Sequence, residues 1–300
     1  MSAGRFAPTP SGHLHLGNLR TGVAAWLDAR AHGERFVMRI EDIDRERTSP
    51  QMAADQLRDL EVLGLDWDEV YFQHDRFDAY AAALDRLSTF ICQCTRRDLR
   101  DAARAPHTPP DFYPGTCRNL GLMVQNSMAV RFAGPEVVAS ELVTDELMGQ
   151  LGTRVDMPVL ARIVAAQPVQ WGYNLAVVVD DIYSQVTRVV RGADLAAHTA
   201  TYVAIWQALT DTPPPAFVHV PLVVTAEGER LAKRTAKKAY GTTLPELLAE
   251  HTLGEVVTYL GRSLGLVSAG ESVESVAELV DCWSVAQVPR QPWVFERCAW

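Results

Sequence analysis

Apolar positions along this chain change period several times, and each change predicts an element. Arg5-Phe6-Ala7 is a short, mostly apolar stretch bounded by Pro8 and Pro10, the pattern of a buried strand running into a tight turn. Leu19, Val23, Trp26, Leu27 and Ala31 then recur at helical spacing, which predicts a helix beginning near Asn18, a favourable N-cap residue. Residues 35–42 return to strand character. A strand, a helix and a second strand form a right-handed crossover unit of a parallel sheet. Ser49-Pro50 opens another helix, with Leu57, Leu60 and Leu63 on its apolar stripe and Gly64 at its end. Residues 79–91, 194–209 and 244–264 read as further helices. Residues 128–132 and 155–162 read as short strands, 175–179 as a strand buried on both faces, and 217–224 as the last strand of the sheet. A polar, proline-rich stretch from Cys92 to about Pro110 interrupts the pattern. The predicted fold is α/β: a doubly wound parallel sheet split by an insertion and followed by a small helical tail. Its segments are 1–91 and 172–240 for the two halves of the sheet domain, 92–171 for the insertion and 241–300 for the tail.

The first turn carries candidate chemistry. His15, Gly17 and Asn18 fall at a helix N-terminus, where backbone N–H groups and the positive end of the macrodipole attract phosphate. Gly17 removes a side chain where a ring or phosphate comes close, and His15 can donate a hydrogen bond to a phosphate oxygen. A helix cap beside an ordinary surface histidine would show the same few residues. What adds weight is position: in such sheets ligands bind outside the carboxyl ends of the strands. Thr9, His15 and Glu41-Asp42-Ile43-Asp44 converge on that edge.

Several motifs in order give this a family. The run from Arg5 to Gly17, with Pro8-Thr9-Pro10-Ser11-Gly12 and Leu14-His15-Leu16-Gly17, is followed by Arg39-Ile40-Glu41-Asp42-Ile43-Asp44-Arg45-Glu46-Arg47. Later come Leu63-Gly64-Leu65-Asp66-Trp67, Tyr173-Asn174-Leu175-Ala176-Val177-Val178-Val179-Asp180-Asp181, Val190-Arg191-Gly192-Ala193-Asp194 and Arg230-Leu231-Ala232-Lys233-Arg234. Together these closely resemble the class I glutamyl-tRNA synthetase family over residues 4 to 240. The resemblance implies a Rossmann-like catalytic domain that activates glutamate with ATP and Mg²⁺. It implies that Arg5, Ala7, Thr9, Glu41, Tyr173 and Arg191 line the glutamate pocket, and that His15, Gly17, Asn18 and Lys233 bind ATP. Arginine forks suit a carboxylate, and Glu41 supplies a counter-charge for an ammonium.

Residues 230–234 resemble the Lys-Met-Ser-Lys-Ser loop of these enzymes, where cations stabilise charge that builds on phosphoryl oxygens in the transition state. Lys233 matches the second lysine. Arg230 replaces the first and keeps its charge, and Ala232 replaces a serine. Catalysis is therefore assigned to His15, Lys233 and Arg230. Cys92, Cys94 and Cys117 provide three soft ligands, one short of a closed zinc site. Ligand type alone nominates His107 as the fourth, whereas the Tyr-x-x-x-Cys spacing shared with truncated relatives points to Tyr113.

Charge and length then bear on the partner. The net charge of −9 is unusual for a nucleic-acid binder, but residues 241–300 hold eight acidic against three basic side chains. Nucleic acid is expected along the first 240 residues, which include Arg96-Arg97 and the basic run from Arg230 to Lys238. About 60 residues follow Tyr240, far fewer than an anticodon-reading domain needs. This is similar to the stand-alone paralogues of the family, which esterify queuosine in the anticodon loop of tRNA(Asp). The implied partners are glutamate and the tRNA(Asp) anticodon stem-loop, with the protein a monomer. No apolar run is long enough to span a bilayer and no signal-like segment is present, so a cytoplasmic location without membrane contact is expected. Three alternatives stand beside this reading: a short glutamyl-tRNA synthetase charging the tRNA 3′ end, a nucleotidylyltransferase of the same superfamily, and a non-catalytic RNA-binding relic.

Overall fold

The first crossover unit forms as its periodicity predicts. Strand β1 (Ala3–Phe6), helix α1 (Leu16–Ala31), β2 (Arg35–Ile40), α2 (Pro50–Val62) and β3 (Glu69–Phe72) follow in order, and the three strands pair in parallel as β1–β2–β3. The computed structural model describes residues 2–95, 97–99, 112–125, 127–134, 142–152, 154–231 and 242–295. Ser49 caps α2 by accepting from the Met52 amide, with Pro50 in the first turn. Helix α1 starts two residues before the expected point. Its N-cap is His15, and Asn18 is the third helical residue of a reciprocal capping box.

The helix expected over 79–91 is two elements, α3 (Phe77–Leu84) and then β4 (Thr89–Cys92). Thr89, Phe90 and Ile91 have the β-branched and aromatic character that favours a strand. β4 begins an antiparallel sheet with β5 (Ser127–Phe132), β8 (Val159–Val164) and β9 (Gln170–Trp171). Within the same span, β6 (Leu142–Asp145) and β7 (Gly149–Gly152) belong elsewhere, because β6 joins β11 (Ala216–Val220) of the main sheet. β11 in turn pairs in parallel with β10 (Arg188–Gly192). A parallel bridge between Ala3 and Val186 brings β1 alongside the chain entering β10. The expected last strand is interrupted at Pro221 and resumes as β12 (Val223–Val224).

One expectation is overturned outright. Residues 175–179 are not a strand; they lie in helix α4 (Tyr173–Tyr183). An unbroken apolar run fits a strand or a helix buried nearly all round, and period alone does not separate them. What marks this helix is its far end, where Asp180 and Asp181 are completely buried. Asp181 accepts from Arg39 (2.5 Å), Arg5 (3.2 Å) and the Tyr202 hydroxyl (2.9 Å). Asp180 accepts from Arg76 (2.6 Å), Gln73 (2.8 Å) and the Tyr80 hydroxyl (2.9 Å). Burial alone would raise the Asp181 carboxyl, but Arg5 and Arg39 beside it hold it below its ordinary value. Tyr202 belongs to the next helix, α5 (Thr199–Leu209).

The tail is more than a helical appendage. The predicted helix over 244–264 is split into α6 (Leu244–Leu248) and α7 (Leu253–Ser263), the second opened by a capping box of Thr252 and Glu255. Residues beyond them reach β13 (Trp293–Val294), which pairs in parallel with β12. Arg20 of α1, fully buried, donates to the Pro221 carbonyl (2.6 Å) and to Ser263 at both its hydroxyl (3.0 Å) and its carbonyl (2.9 Å). Trp283 donates to Asp28 of α1 (3.0 Å). The tail and α1 share one apolar core.

Removing one partner of a buried ion pair strands the other, typically at a cost of about 3–5 kcal/mol. Asp181→Ala is therefore expected to lower stability by that amount in urea unfolding. A loss below about 1 kcal/mol would show that Arg5 and Arg39 find other partners.

Candidate active site

The edge where the strand ends meet encloses a cavity of about 450 Å³. All the site residues assigned from sequence that the structure describes, apart from the cysteine group, line this cavity. Arg5, Ala7 and Thr9 come from the end of β1, His15, Gly17 and Asn18 from the start of α1, and Glu41 from the end of β2. Tyr173 opens α4, Arg191 lies in β10, and Arg230 follows β12. Lys233 lies outside the described residues, as do Ala232, Arg234 and most of the basic run to Lys238.

The turn after β1 is held from below. Gln56, fully buried in α2, donates one side-chain nitrogen to the Thr9 carbonyl (3.1 Å) and the Gly12 carbonyl (2.6 Å). His15 also caps the helix. Its Nδ1 accepts from the amides of Gly17 (3.1 Å) and Asn18 (3.3 Å), so those N–H groups face the imidazole. With Nδ1 an acceptor, the neutral ring carries its proton on Nε2, which is the donor the residue has to offer. Gly17 makes this possible. A Cβ there would stand 3.0 Å from His15 Cε1 and 3.1 Å from Nδ1, tighter than carbon normally packs.

Tyr173 is placed by an equally close approach. A Cβ on Gly172 would fall 2.2 Å from the Val159 carbonyl oxygen, so only glycine lets α4 begin against β8. The Gly172 amide donates to the Leu160 carbonyl (2.7 Å) at the same point.

The charged groups of the cavity differ in how they are partnered. Glu41 accepts from Arg39 (3.2 Å) and from the Thr9 hydroxyl (3.4 Å), and burial raises its carboxyl above the ordinary value despite Arg39 and Arg5. Arg5 pairs with neither Asp42 nor Asp44. Its partners are Asp181 and the Val190 carbonyl (3.2 Å), while Asp42 accepts from the His74 amide (3.0 Å) and imidazole. Nη1 and Nη2 of Arg5 each retain a second hydrogen. Arg191 is different from Arg5 and Arg39: among the described residues it has no carboxylate partner. Burial, with Arg5 close by, pulls its guanidinium below the ordinary value. Such a cation favours an incoming anion.

Arg230 closes one wall. Its backbone bridges to Val224 across a turn in which Gly228 has a φ of +78°, and its side chain pairs with Asp194 at 2.6 Å. Arg39, Asp181 and Gln56 were not singled out by sequence reasoning as site residues. Arg39 and Asp181 belong to motifs that mark the family, but no local signal ties Gln56 or Asp181 to the turn and strands they support.

Cys92, Cys94 and Cys117 form a separate group away from the cavity, their sulfurs all within 4.8 Å of one another. The Tyr113 hydroxyl lies 3.4 Å from Cys92 Sγ and 3.6 Å from Cys94 Sγ. Ligand atoms around a tetrahedral zinc with Zn–S bonds of about 2.3 Å stand roughly 3.8 Å apart, so these donors are close to the spacing such an ion needs. Burial opposes ionisation of Cys92, but Tyr113, the Cys94 amide and Arg131 outweigh it and bring the thiol down to about 7. Arg131 stacks on the Tyr113 ring at 3.8 Å. His107 lies outside the described residues.

The cavity thus combines a histidine that caps α1, a buried acid and a guanidinium held, among the described residues, only by neutral groups. Residues 3–271 match the family model for the catalytic domain of class I tRNA synthetases (E and Q), and the chain belongs to that family of ligases. Among curated relatives, the glutamyl-Q tRNA(Asp) synthetase of Nocardia farcinica is 42% identical, covering 97% of this chain and 92% of its own. The protein of the same description from Symbiobacterium thermophilum is 41% identical, over 97% and 95%. In fold, the chain resembles the glutamate-tRNA synthetase of Elizabethkingia anophelis with a TM-score of 0.82 at 22% identity, over 99% of this chain and 68% of the other. Among the described residues no helix is long and apolar enough to cross a membrane.

Gly17→Ala should displace the His15 ring while leaving the fold intact. A misplacement of the order of 1 Å at a catalytic group costs roughly 100-fold. The expected outcome is a fall of about 10- to 100-fold in ATP-dependent activity at unchanged melting temperature; full activity would mean that the ring is free to move.

Proposed function

We propose that this chain activates glutamate with ATP and transfers the glutamyl group to queuosine in the anticodon loop of tRNA(Asp). The observation that carries the glutamate part is the polarity of the cavity. Glu41 at one strand end offers a counter-charge for an ammonium, and Arg191 offers a buried cation with no anion of its own among the described residues. A zwitterion with a second carboxylate is complementary to that pair. The tRNA part is supported by the two relatives named above, 42% and 41% identical, both described as glutamyl-Q tRNA(Asp) synthetases.

In the first step an α-carboxylate oxygen of glutamate attacks the α-phosphorus of ATP, which enters with Mg²⁺. A P–O bond forms, the bond to pyrophosphate breaks, and glutamyl-adenylate remains. The Nε2–H of His15 and the cations Arg230 and Lys233 stabilise charge on the phosphoryl oxygens. Gly17 and Asn18 keep the ring of His15 in place through their amides. In the second step a hydroxyl of the queuosine diol attacks the activated carbonyl, AMP leaves with the bonding electrons, and the hydroxyl proton passes to solvent. The reading places the protein in the cytoplasm, working as a monomer. Zinc would be held by Cys92, Cys94 and Cys117, with Tyr113 or His107 as the fourth ligand, and would brace the segment around β4.

Labelled glutamate is expected on tRNA(Asp) that contains queuosine and not on queuosine-free tRNA(Asp) or on tRNA(Glu). After digestion to nucleosides the label should sit on a modified guanosine; label on the 3′-terminal adenosine would make the protein a short glutamyl-tRNA synthetase instead. Lys233→Ala should lose about 100- to 1000-fold in pyrophosphate exchange, the worth of one well-aimed donor.

For the metal, about one zinc per chain is expected after purification without chelator, and Cys117→Ser should release it. Zinc kept by Tyr113→Phe but lost from His107→Ala would move the fourth ligand to histidine.

A further inference from the structure

The guanidinium of Arg191 is held by a histidine that does not itself line the cavity. His219, the fourth of the five residues of β11, is fully buried, and its Nε2 accepts from Arg191 Nε at 3.0 Å. Its Nδ1 lies 2.7 Å from Asp145 Oδ2, so with Nε2 an acceptor the ring proton is on Nδ1 and points at the carboxylate. Asp145 is itself fixed. It accepts from the backbone amides of Leu147 (2.9 Å), Met148 (2.7 Å) and His219 (2.9 Å). The Nη2 hydrogens of Arg191 go to the Thr199 hydroxyl (3.0 Å) and the Leu195 carbonyl (3.4 Å). Its Nη1 has no hydrogen-bond partner among the described residues, and Arg191 lines the cavity.

Every partner of Arg191 among the described residues is therefore neutral, unlike those of Arg5 and Arg39, which both contact Asp181. An imidazole stands where a carboxylate would otherwise be the natural companion of a buried arginine. It supplies an acceptor for orientation and no charge for neutralisation. The tautomer is set by the Asp145 contact, since the opposite tautomer would turn an N–H toward the N–H of Arg191.

We infer that His219, oriented by Asp145, is a positioning residue that keeps Arg191 aimed into the cavity with no carboxylate in contact with it, and that this arrangement selects a substrate side chain ending in a carboxylate over one ending in an amide. The inference rests on the reading of glutamate as the substrate. A carboxylate gains a full ion pair at Nη1, whereas an amide oxygen meets the same N–H groups without the charge. A glutamic acid at position 219 would supply the anion internally and remove that difference.

Pyrophosphate exchange measured against glutamate, glutamine and ATP tests this. The wild-type protein is measured first: no exchange with glutamate would sink the substrate reading itself, an outcome distinct from any change seen only in the variants. His219→Leu removes the acceptor and is expected to raise KM for glutamate about 10- to 100-fold, the range for a lost hydrogen bond to a charged group, with KM for ATP nearly unchanged. His219→Gln places an amide oxygen near the former Nε2 and should recover most of the loss. His219→Glu should raise KM for glutamate and narrow the preference for glutamate over glutamine. Should the leucine variant not fold, the comparison of Gln with Glu decides, since both keep a polar side chain of similar length. An unchanged glutamate preference in His219→Glu, or equal rises in KM for both glutamate and ATP, would overturn the inference.

Discussion

Two adjacent carboxylates, Asp180 and Asp181, sit inside the protein without contact with water, and their need for partners organises what surrounds them. A buried charge that loses its partner costs several kcal/mol, so the cations that answer these two must arrive together. They come from three places: Arg5 in β1, Arg39 in β2, and Arg76 just before α3. The carboxylates lie on α4. Tyr80 and Tyr202 complete the shell from α3 and α5. Strands β1 and β2 are thus joined to helix α4 by charge, and helix α5 is joined to it by a hydrogen bond.

That arrangement also assigns work among the arginines. Arg5 and Arg39 are largely committed to the carboxylates of α4, and Arg39 additionally orients Glu41. Arg191, tied only to neutral acceptors among the described residues, is the cation left to meet an anion. The polarity of the cavity is a product of where the negative charges were spent. The net charge of −9 says nothing of this, because it is summed mostly over side chains that face solvent.

How much of this is readable from the chain depends on the range of the interaction. The helix cap at Ser49-Pro50 and the first crossover unit are local, and residues close in sequence announce them. The family motifs mark the cavity wall from Arg5 to Arg230, and those residues meet in space. Helix α4 reads as a strand because Leu175, Ala176, Val177 and Val178 are all buried, which erases the helical period. The division of labour in the first turn is also hidden: His15 caps the helix, while Asn18 answers from three residues on. His219 gives no signal beyond being a polar residue in an otherwise apolar strand. Its meaning depends on Asp145 and Arg191, which meet it only across the sheet.

The pairing of β12 with β13 has a bearing on the order in which the molecule is completed. β12 carries the turn that leads into Arg230, yet its strand partner lies some seventy residues later along the chain. Contacts so distant in sequence require a large loop to be closed before they return any stabilisation, and they tend to form late. The crossover unit around α1 can assemble from its own neighbours well before that. Nascent chains would therefore hold the turn after β1 early and acquire the opposite wall at the end, passing through a period in which the cavity is half-built and β12 is an open edge. An edge of two residues is too short to recruit much foreign strand, which is one way a late-closing wall avoids becoming a point of aggregation.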